Sequence, residues 1–318
     1  MLRLLKYLGK REWIYAALTF VFTFVSVWLA LTIPDYMSNI TTLVQTGGAM
    51  EDILKAGGIM LLCCVGDAVC TIIVGYLSAV IGSSFGARLR GVIYRKITSF
   101  SMEEISQFST SSLVIRSTND VMQVLNVITM GLSSLLRAPM IAIWSIVKIV
   151  GKGRQEWLLV TIIAVCVAAV IIISNMVLVV PKFRIIQRLT DNLNRVAREN
   201  LTGVRVVRAY NAEKYQEDKF GEANNVITKT HLFTGKVMAY MSPGMQFVMS
   251  CTSLAIYWVG AYIINNTPAI ADRIGLFSNM VVFMQYAIQV IMAFMMLSFI
   301  FIMIPRAQVS GERIREVL

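Results

Sequence analysis

Apolar positions run nearly unbroken along this chain in six long stretches, 13–33, 56–82, 127–149, 157–180, 238–264 and 276–304, and most charges lie between them. At about 1.5 Å of rise per residue, each stretch as a helix covers a hydrocarbon core about 30 Å thick. The pattern predicts six membrane-spanning helices, apolar all round because lipid and neighbouring helices are both apolar surroundings.

The segments between the spans differ sharply in length. Residues 150–156 leave room for little more than a turn, so spans three and four are expected to form a tight hairpin, and 34–55 and 265–275 are also short. By contrast, 83–126 and 181–237 are 44 and 57 residues long, contain no proline except Pro181, and keep apolar residues at three- and four-residue spacing. As helices they carry spans two to five tens of ångströms beyond the membrane, as two copies of one helical hairpin. Segments of that length with no compositional sign of disorder call for a partner surface. A channel or a secondary carrier built from inverted repeats needs no such arms, and inverted repeats place matching loops on opposite sides.

Composition agrees with a lipid solvent: 57% of the 318 residues are hydrophobic and the mean hydropathy is +0.68, outside the range of soluble domains. The basic start (Arg3, Lys6, Lys10, Arg11) resembles a secretion signal, but the apolar run that follows is too long and no small-residue cleavage site closes it, so it reads as a retained first span. Charge then orients the chain. Residues 1–12, 83–126, 181–237 and 305–318 hold 4, 5, 11 and 3 basic residues, 23 of the 29. That bias predicts both termini and both long arms in the cytoplasm. The net charge of +11 is then a by-product of loops facing anionic headgroups and does not point to nucleic acid. Cys63, Cys64, Cys70, Cys166 and Cys251 all fall within spans without a ligand-like histidine cluster, which predicts neither a disulfide framework nor a metal site.

Three segments carry a family resemblance. Residues 104–121 contain Phe108-Ser109-Thr110-Ser111-Ser112-Leu113 followed by Arg116, Thr118, Asn119, Asp120 and Val121, similar to the first cytoplasmic loop of bacterial ATP-binding cassette (ABC) exporters. Residues 192–210, with Arg198-Glu199-Asn200-Leu201-Thr202-Gly203-Val204-Arg205-Val206-Val207-Arg208-Ala209-Tyr210, resemble the second loop, and the match continues through Glu213 and Phe220. Pro305-Arg306-Ala307 with Ser310-Gly311-Glu312-Arg313-Ile314 resembles the link into the nucleotide-binding domain. Ser111 departs from the glycine that many members carry there. No phosphate loop G-x-x-x-x-G-K-[ST] occurs; Gly235-Lys236 is followed by Val237 and lacks the upstream glycine.

The resemblance implies an all-α exporter transmembrane domain over 1–304, with 305–318 beginning a linker to an absent nucleotide-binding domain. It implies no catalytic residue and no cofactor on this chain, with ATP and magnesium on that domain, and a second transmembrane half, identical or different, in a bacterial plasma membrane. The expected activity is outward transport of a hydrophobic or amphipathic solute by alternating access. Each arm is expected to end in a coupling helix against a nucleotide-binding domain, at about 105–112 and 207–216. The resemblance assigns coupling to Ile105, Gln107, Phe108, Ser109, Arg116, Asp120, Glu199, Arg205, Arg208, Tyr210 and Glu213.

Several of these residues also have plainer readings. Arg116 and Asp120 sit four apart, either as a solvated pair on one helix or as an element ordering the coupling helix. Asp67, an acid within a span, reads as a cavity site for a cationic substrate or as one partner of an interhelical hydrogen bond. Arg137 and Lys148 read as snorkelling near the two interfaces. Gln246, Ser250, Ser253 and Tyr257 form one stripe of span five, and Gln285, Gln289, Met292 and Met296 repeat that spacing on span six. Such stripes line a translocation cavity or pack helix against helix. A channel or carrier without an ATPase, and a membrane scaffold whose arms bind a partner, remain the rival classes.

Overall fold

A computed structural model describes the chain except Met1, Gln107, Gly153 and Arg154, and except the side chains of residues 2, 3, 5, 106, 152, 184, 271, 299–302, 305 and 306. Its described elements are all helical. A 3-10 segment, Leu2–Tyr7, precedes α1 (Lys10–Gln45), α2 (Met50–Thr98), α3 (Met102–Ser106), α4 (Thr110–Ser117) and α5 (Asn119–Met130). A π-helical stretch, Gly131–Leu135, leads into α6 (Leu136–Lys152), followed by α7 (Gln155–Thr202), α8 (Val204–Ala209), α9 (Glu213–Asn265) and α10 (Ile270–Val317). Among the described residues, six helical stretches are long and apolar enough to cross a membrane; the first five predicted spans fall on them, and the sixth coincides with Asp272–Ser298 from 276 to 298. The chain divides into two compact units, residues 1–165 with 251–318, and residues 166–250.

The first unit has two cores with different physical origins. At the end that holds both termini, Leu4, Phe85, Leu89, Ile93, Leu113, Val121, Val124, Ile314 and Val317 pack together, mostly beyond the apolar spans. Water exclusion drives such a cluster. At the opposite end Val27, Leu31, Ile149, Trp157, Ile256, Met280, Phe283 and Tyr286 form the other core, within the spans. There lipid is as apolar as a leucine side chain, so close packing and hydrogen bonds must hold the helices together. Gly260 allows that approach: a Cβ on it would run into Met280. Gly82 and Gly86 do the same for α2 against Thr129 and Leu125 of α5.

The third span is not one uninterrupted helix. Thr118 (φ −112, ψ −78) separates α4 from α5, and its hydroxyl donates to the Val114 carbonyl at 2.7 Å. Further on, Pro139 has no amide to offer the carbonyl four residues back and its ring crowds it, and the π stretch lies immediately N-terminal to that position.

In the second unit the descending part of α7 and the ascending part of α9 run as a hairpin through α8. Ala168, Ile172, Val179, Ile186, Val196, Ile227, Met245 and Val248 are its buried apolar residues. Asn175 Nδ2 donates to the Val237 carbonyl at 2.9 Å, an amide satisfied across the pair where unmet polarity would be costly.

Past the last predicted span α10 runs on without a break. The helix continues to Val317, and Ala307, Ile314 and Val317 are buried in the first unit.

Candidate functional site

At the end with the termini, α10 is fastened to the base of the first arm. Arg116 Nη1 lies 2.9 Å from Glu316 Oε2 and donates to the Arg313 carbonyl at 2.9 Å. Its Nε donates to Ser112 Oγ at 3.2 Å, and its guanidinium sits 4.9 Å from the Phe108 ring centre. Phe108 in turn stacks on Phe100 at 6.1 Å. Asp120 is buried, with Oδ1 accepting from the Ser310 hydroxyl at 2.8 Å and Oδ2 without a hydrogen-bond partner. An open cleft of about 350 Å³ lies between them, lined by Ser111, Ser112, Ile115, Arg116, Asp120 and Arg313. Arg116 and Asp120 are thus not the i,i+4 pair that their spacing suggests. The break at Thr118 places them on different helices, and each binds α10. The N-terminal segment is fastened in the same region: Arg88 Nη2 meets the buried Glu12 carboxylate at 2.9 Å, and its Nη1 donates to the Tyr7 carbonyl at 3.1 Å.

The tip of the first arm is α3. Ser101 and Glu104 close a reciprocal cap, Ser101 N–H to Glu104 Oε2 at 2.8 Å and Glu104 N–H to Ser101 Oγ at 3.3 Å, which starts the helix at Met102. The hydrogen bonds from the Ser101 backbone and hydroxyl, with a smaller contribution from Lys96, hold the Glu104 carboxyl below its ordinary range. Met102 is 83% exposed and Ile105 half-buried. No single helix covers 105–112: α3 ends at Ser106, Ser109 caps the next helix by accepting from the Ser112 amide at 3.2 Å, and Gln107 lies outside the described residues.

The tip of the second arm is α8, Val204–Ala209, which is earlier than the expected 207–216. Gly203 sets its start, and Asn211 in the left-handed region (φ 49) reverses the chain before Glu213 opens α9. Around this tip Leu201, Val204, Val206, Tyr210 and Tyr215 are exposed, beside exposed Arg205 and Arg208. Glu199 lies below the tip and pairs with Lys219 at 3.1 Å and Arg195 at 3.6 Å. Glu213 is exposed and opens the first turn of α9, where an acid suits the helix dipole.

Two polar clusters lie inside the spans of the first unit. Near the middle, Asp67 Oδ1 accepts from the Ser26 hydroxyl and lies 3.8 Å from Arg137 Nη2, while Arg137 Nη1 donates to Thr71 Oγ1 at 3.2 Å. Farther from the termini, Lys148 Nζ meets Asp35 Oδ2 at 2.7 Å, and the Tyr286 hydroxyl contacts Asp35 Oδ1 at 2.9 Å and the Leu31 carbonyl at 3.0 Å. Arg137 and Lys148 thus each meet an acid on a neighbouring helix, a partner that the snorkelling reading did not include. A cation inside the spans is less costly beside an acid on a neighbouring helix than alone, and both find one. Asp35 escaped the sequence reading because it sits just past the first apolar stretch, in what reads as a short loop.

A family model described as "ABC transporter transmembrane region" matches residues 16–294. The chain belongs to that family. An uncharacterized ABC transporter ATP-binding protein of Mycobacterium tuberculosis is 33% identical over 304 residues, covering 95% of this chain and 51% of the relative. A Mycobacterium bovis protein described in the same words is 35% identical over 279 residues, covering 87% and 45%. A third, from Bacillus subtilis, is 30% identical over 249 residues, covering 76% and 41%. The chain thus spans about half the length of the curated relatives it matches.

For an ABC transporter membrane region, the polar stripes of spans five and six acquire a place. On α10 the buried positions Phe283, Tyr286, Ala287, Val290 and Ile291 define one face, and Gln285, Gln289 and Met292 lie on the other side of the helix. On α9 the buried positions are Met245, Val248, Thr252, Ile256 and Ile263, whereas Gln246, Ser250 and Tyr257 are exposed. Neither stripe belongs to the core of its own unit. Of the cysteines, Cys63 and Cys70 are buried, Cys64, Cys166 and Cys251 are exposed, and all are free thiols. No cluster of three or more potential metal ligands occurs among the described residues.

Proposed function

We propose that this chain is the permease half of an ATP-driven exporter, forming the solute cavity and coupling it to ATPase domains by alternating access. The observation that carries the reading is the pair of short helices, α3 and α8, at the tips of long helical arms, with apolar and aromatic side chains at α8 left exposed. An exposed group of Leu, Val and Tyr beside two arginines suits docking into a groove of another protein domain and is poorly suited to water. In this reading α3 and α8 sit on nucleotide-binding domains that carry ATP and magnesium, and a second transmembrane half completes the cavity. The basic bias of the arms supports a topology with the arms and both termini on the cytoplasmic side of a bacterial membrane. The exposed polar stripes Gln246, Ser250 and Tyr257 on α9 and Gln285, Gln289 and Met292 on α10 serve as cavity lining for an amphipathic or hydrophobic solute.

Arg116 and Asp120 fasten the first arm to α10, with Phe108 beneath the Arg116 guanidinium and Ser109 capping α4, so that a push on α3 moves α10 with it. Glu199 braces the second arm behind Arg205, Arg208 and Tyr210 of the tip.

The test is capture of this chain, in detergent, by a cognate nucleotide-binding domain. Charge reversal of Arg205 and Arg208 together, or of Glu103 and Glu104 together, is expected to lower capture at least about tenfold, the effect of about 1.4 kcal/mol. Capture that ignores both pairs would sink the coupling assignment and favour a channel, carrier or scaffold.

A further inference from the structure

The cluster at Asp67 and Arg137 has hydrogen-bonding capacity that the protein does not use. Asp67 Oδ1 serves Ser26, Thr71 and Arg137, whereas Oδ2 accepts nothing among the described residues. Arg137 spends one donor on Thr71, and its contact with Asp67 at 3.8 Å is an ion pair too long for a hydrogen bond. The other guanidinium donors have no hydrogen-bond acceptor among the described residues. Both side chains remain about one quarter accessible, and both lie near the middle of their spans, 56–82 and 127–149.

Free acceptor and donor capacity in that position must meet water or a polar ligand, because hydrocarbon cannot satisfy it. The backbone around Arg137 is also adapted: the π stretch Gly131–Leu135 precedes it and Pro139 follows two residues later. Such single-turn departures from α geometry concentrate at functional positions.

We infer that Asp67 and Arg137 form a receptor for a zwitterionic headgroup, the anionic part taking the Arg137 fork and the cationic part the free oxygen of Asp67. The inference rests on the transport reading above and specifies its solute class. Electrostatics selects the zwitterion. A lone cation drawn to Asp67 meets Arg137 within a few ångströms, a lone anion at Arg137 meets Asp67, and in a low dielectric each repulsion cancels most of the gain. A ligand carrying both charges replaces the long internal contact with two shorter ones and leaves no charge unpaired. Ser26 and Thr71 keep Asp67 oriented while the pair opens.

The experiment uses the full chain reconstituted in lipid nanodiscs and three probes with the same octyl chain: octylphosphocholine, octyltrimethylammonium and octyl phosphate. Affinity is read from intrinsic tryptophan fluorescence. The wild type is expected to bind the zwitterion about tenfold more tightly than either singly charged probe. Asp67→Asn should erase the advantage over octyl phosphate, and Arg137→Gln the advantage over octyltrimethylammonium. The exchange of Asp67→Arg with Arg137→Asp should retain preference for the zwitterion. Where a single variant fails to assemble, the neutral pair Asp67→Asn with Arg137→Gln must lose headgroup discrimination altogether. An order of affinities that is the same in every variant, or no zwitterion preference in the wild type, overturns the inference. Capture by the nucleotide-binding domain, measured on the same preparations, reads the transport proposal separately. Discrimination with no capture sinks that proposal and leaves the site, and the reverse sinks the site alone.

Discussion

The two arms look alike in sequence, each a long helical hairpin with more basic than acidic residues, yet they are held in different ways. The base of the first is wedged by α10 and the N-terminal segment, with Phe85, Leu89, Ile93, Leu113 and Val121 fully or almost fully buried and Arg116 and Asp120 bonded to α10. The second unit has the buried seam between its own two helices, and toward its tip the polar links are the exposed contacts of Glu199 with Lys219 and Arg195. Identical local propensity thus yields one arm stabilised by water exclusion and buried hydrogen bonds, and another that depends on helix pairing and surface charge. Free energies of local opening follow buried contacts, so the second arm should open more readily.

The sharpest way to break that comparison is to hollow out the first arm. Phe85→Ala should cost about 3–5 kcal/mol and lower the apparent unfolding temperature in detergent. Ile227→Ala in the second unit should cost clearly less, and equal losses would mean that the two arms are equally well packed. Arg116→Ala removes Glu316, the Arg313 carbonyl and the Phe108 ring at once, and should weaken the hold on α10 by about 1–3 kcal/mol. Hydrogen exchange over residues 307–317 should rise, while exchange over 199–219 stays unchanged. Arg116→Lys should rescue this only in part, since an ammonium cannot reproduce the planar fork.

At the second tip, a double-mutant cycle on Glu199→Gln and Lys219→Gln should give no more than about 0.5 kcal/mol of coupling, because both groups are substantially exposed. A coupling above about 2 kcal/mol would show that this pair is more than a surface contact.

The smallest effect concerns pH at α3. The folded-state pKa of Glu104 lies below its unfolded value, so its cap is fully present above the ordinary carboxylate range. The cap is lost as pH falls through the lowered folded value. Exchange at the first amides of α3 should therefore increase on acidification, and Glu104→Gln should remove that pH dependence.

The number and order of the membrane-competent helices were legible from hydropathy, because a bilayer demands about 20 apolar residues per crossing whatever the partner helices are. The arms were legible too, from periodicity sustained without proline, and the family from motifs around residues 108–121 and 198–210. The bounds of the short tip helices were not, since such helices are set by caps: Ser101 with Glu104, Ser109, Gly203 and the left-handed Asn211 each decide a boundary that periodicity over a few residues cannot resolve.

Sequence by itself thus determined that this chain is built for lipid, with six helices long and apolar enough to cross it and two long helical segments between them. Only the tertiary structure decided who partners whom. Spacing paired Arg116 with Asp120, but a break at Thr118 sent both to α10; distance in sequence separated Asp67 from Arg137 and Asp35 from Lys148, but helix packing joined them. The reason is physical. Hydropathy records a residue's affinity for its solvent, a local property, whereas an ion pair depends on which faces of distant helices meet.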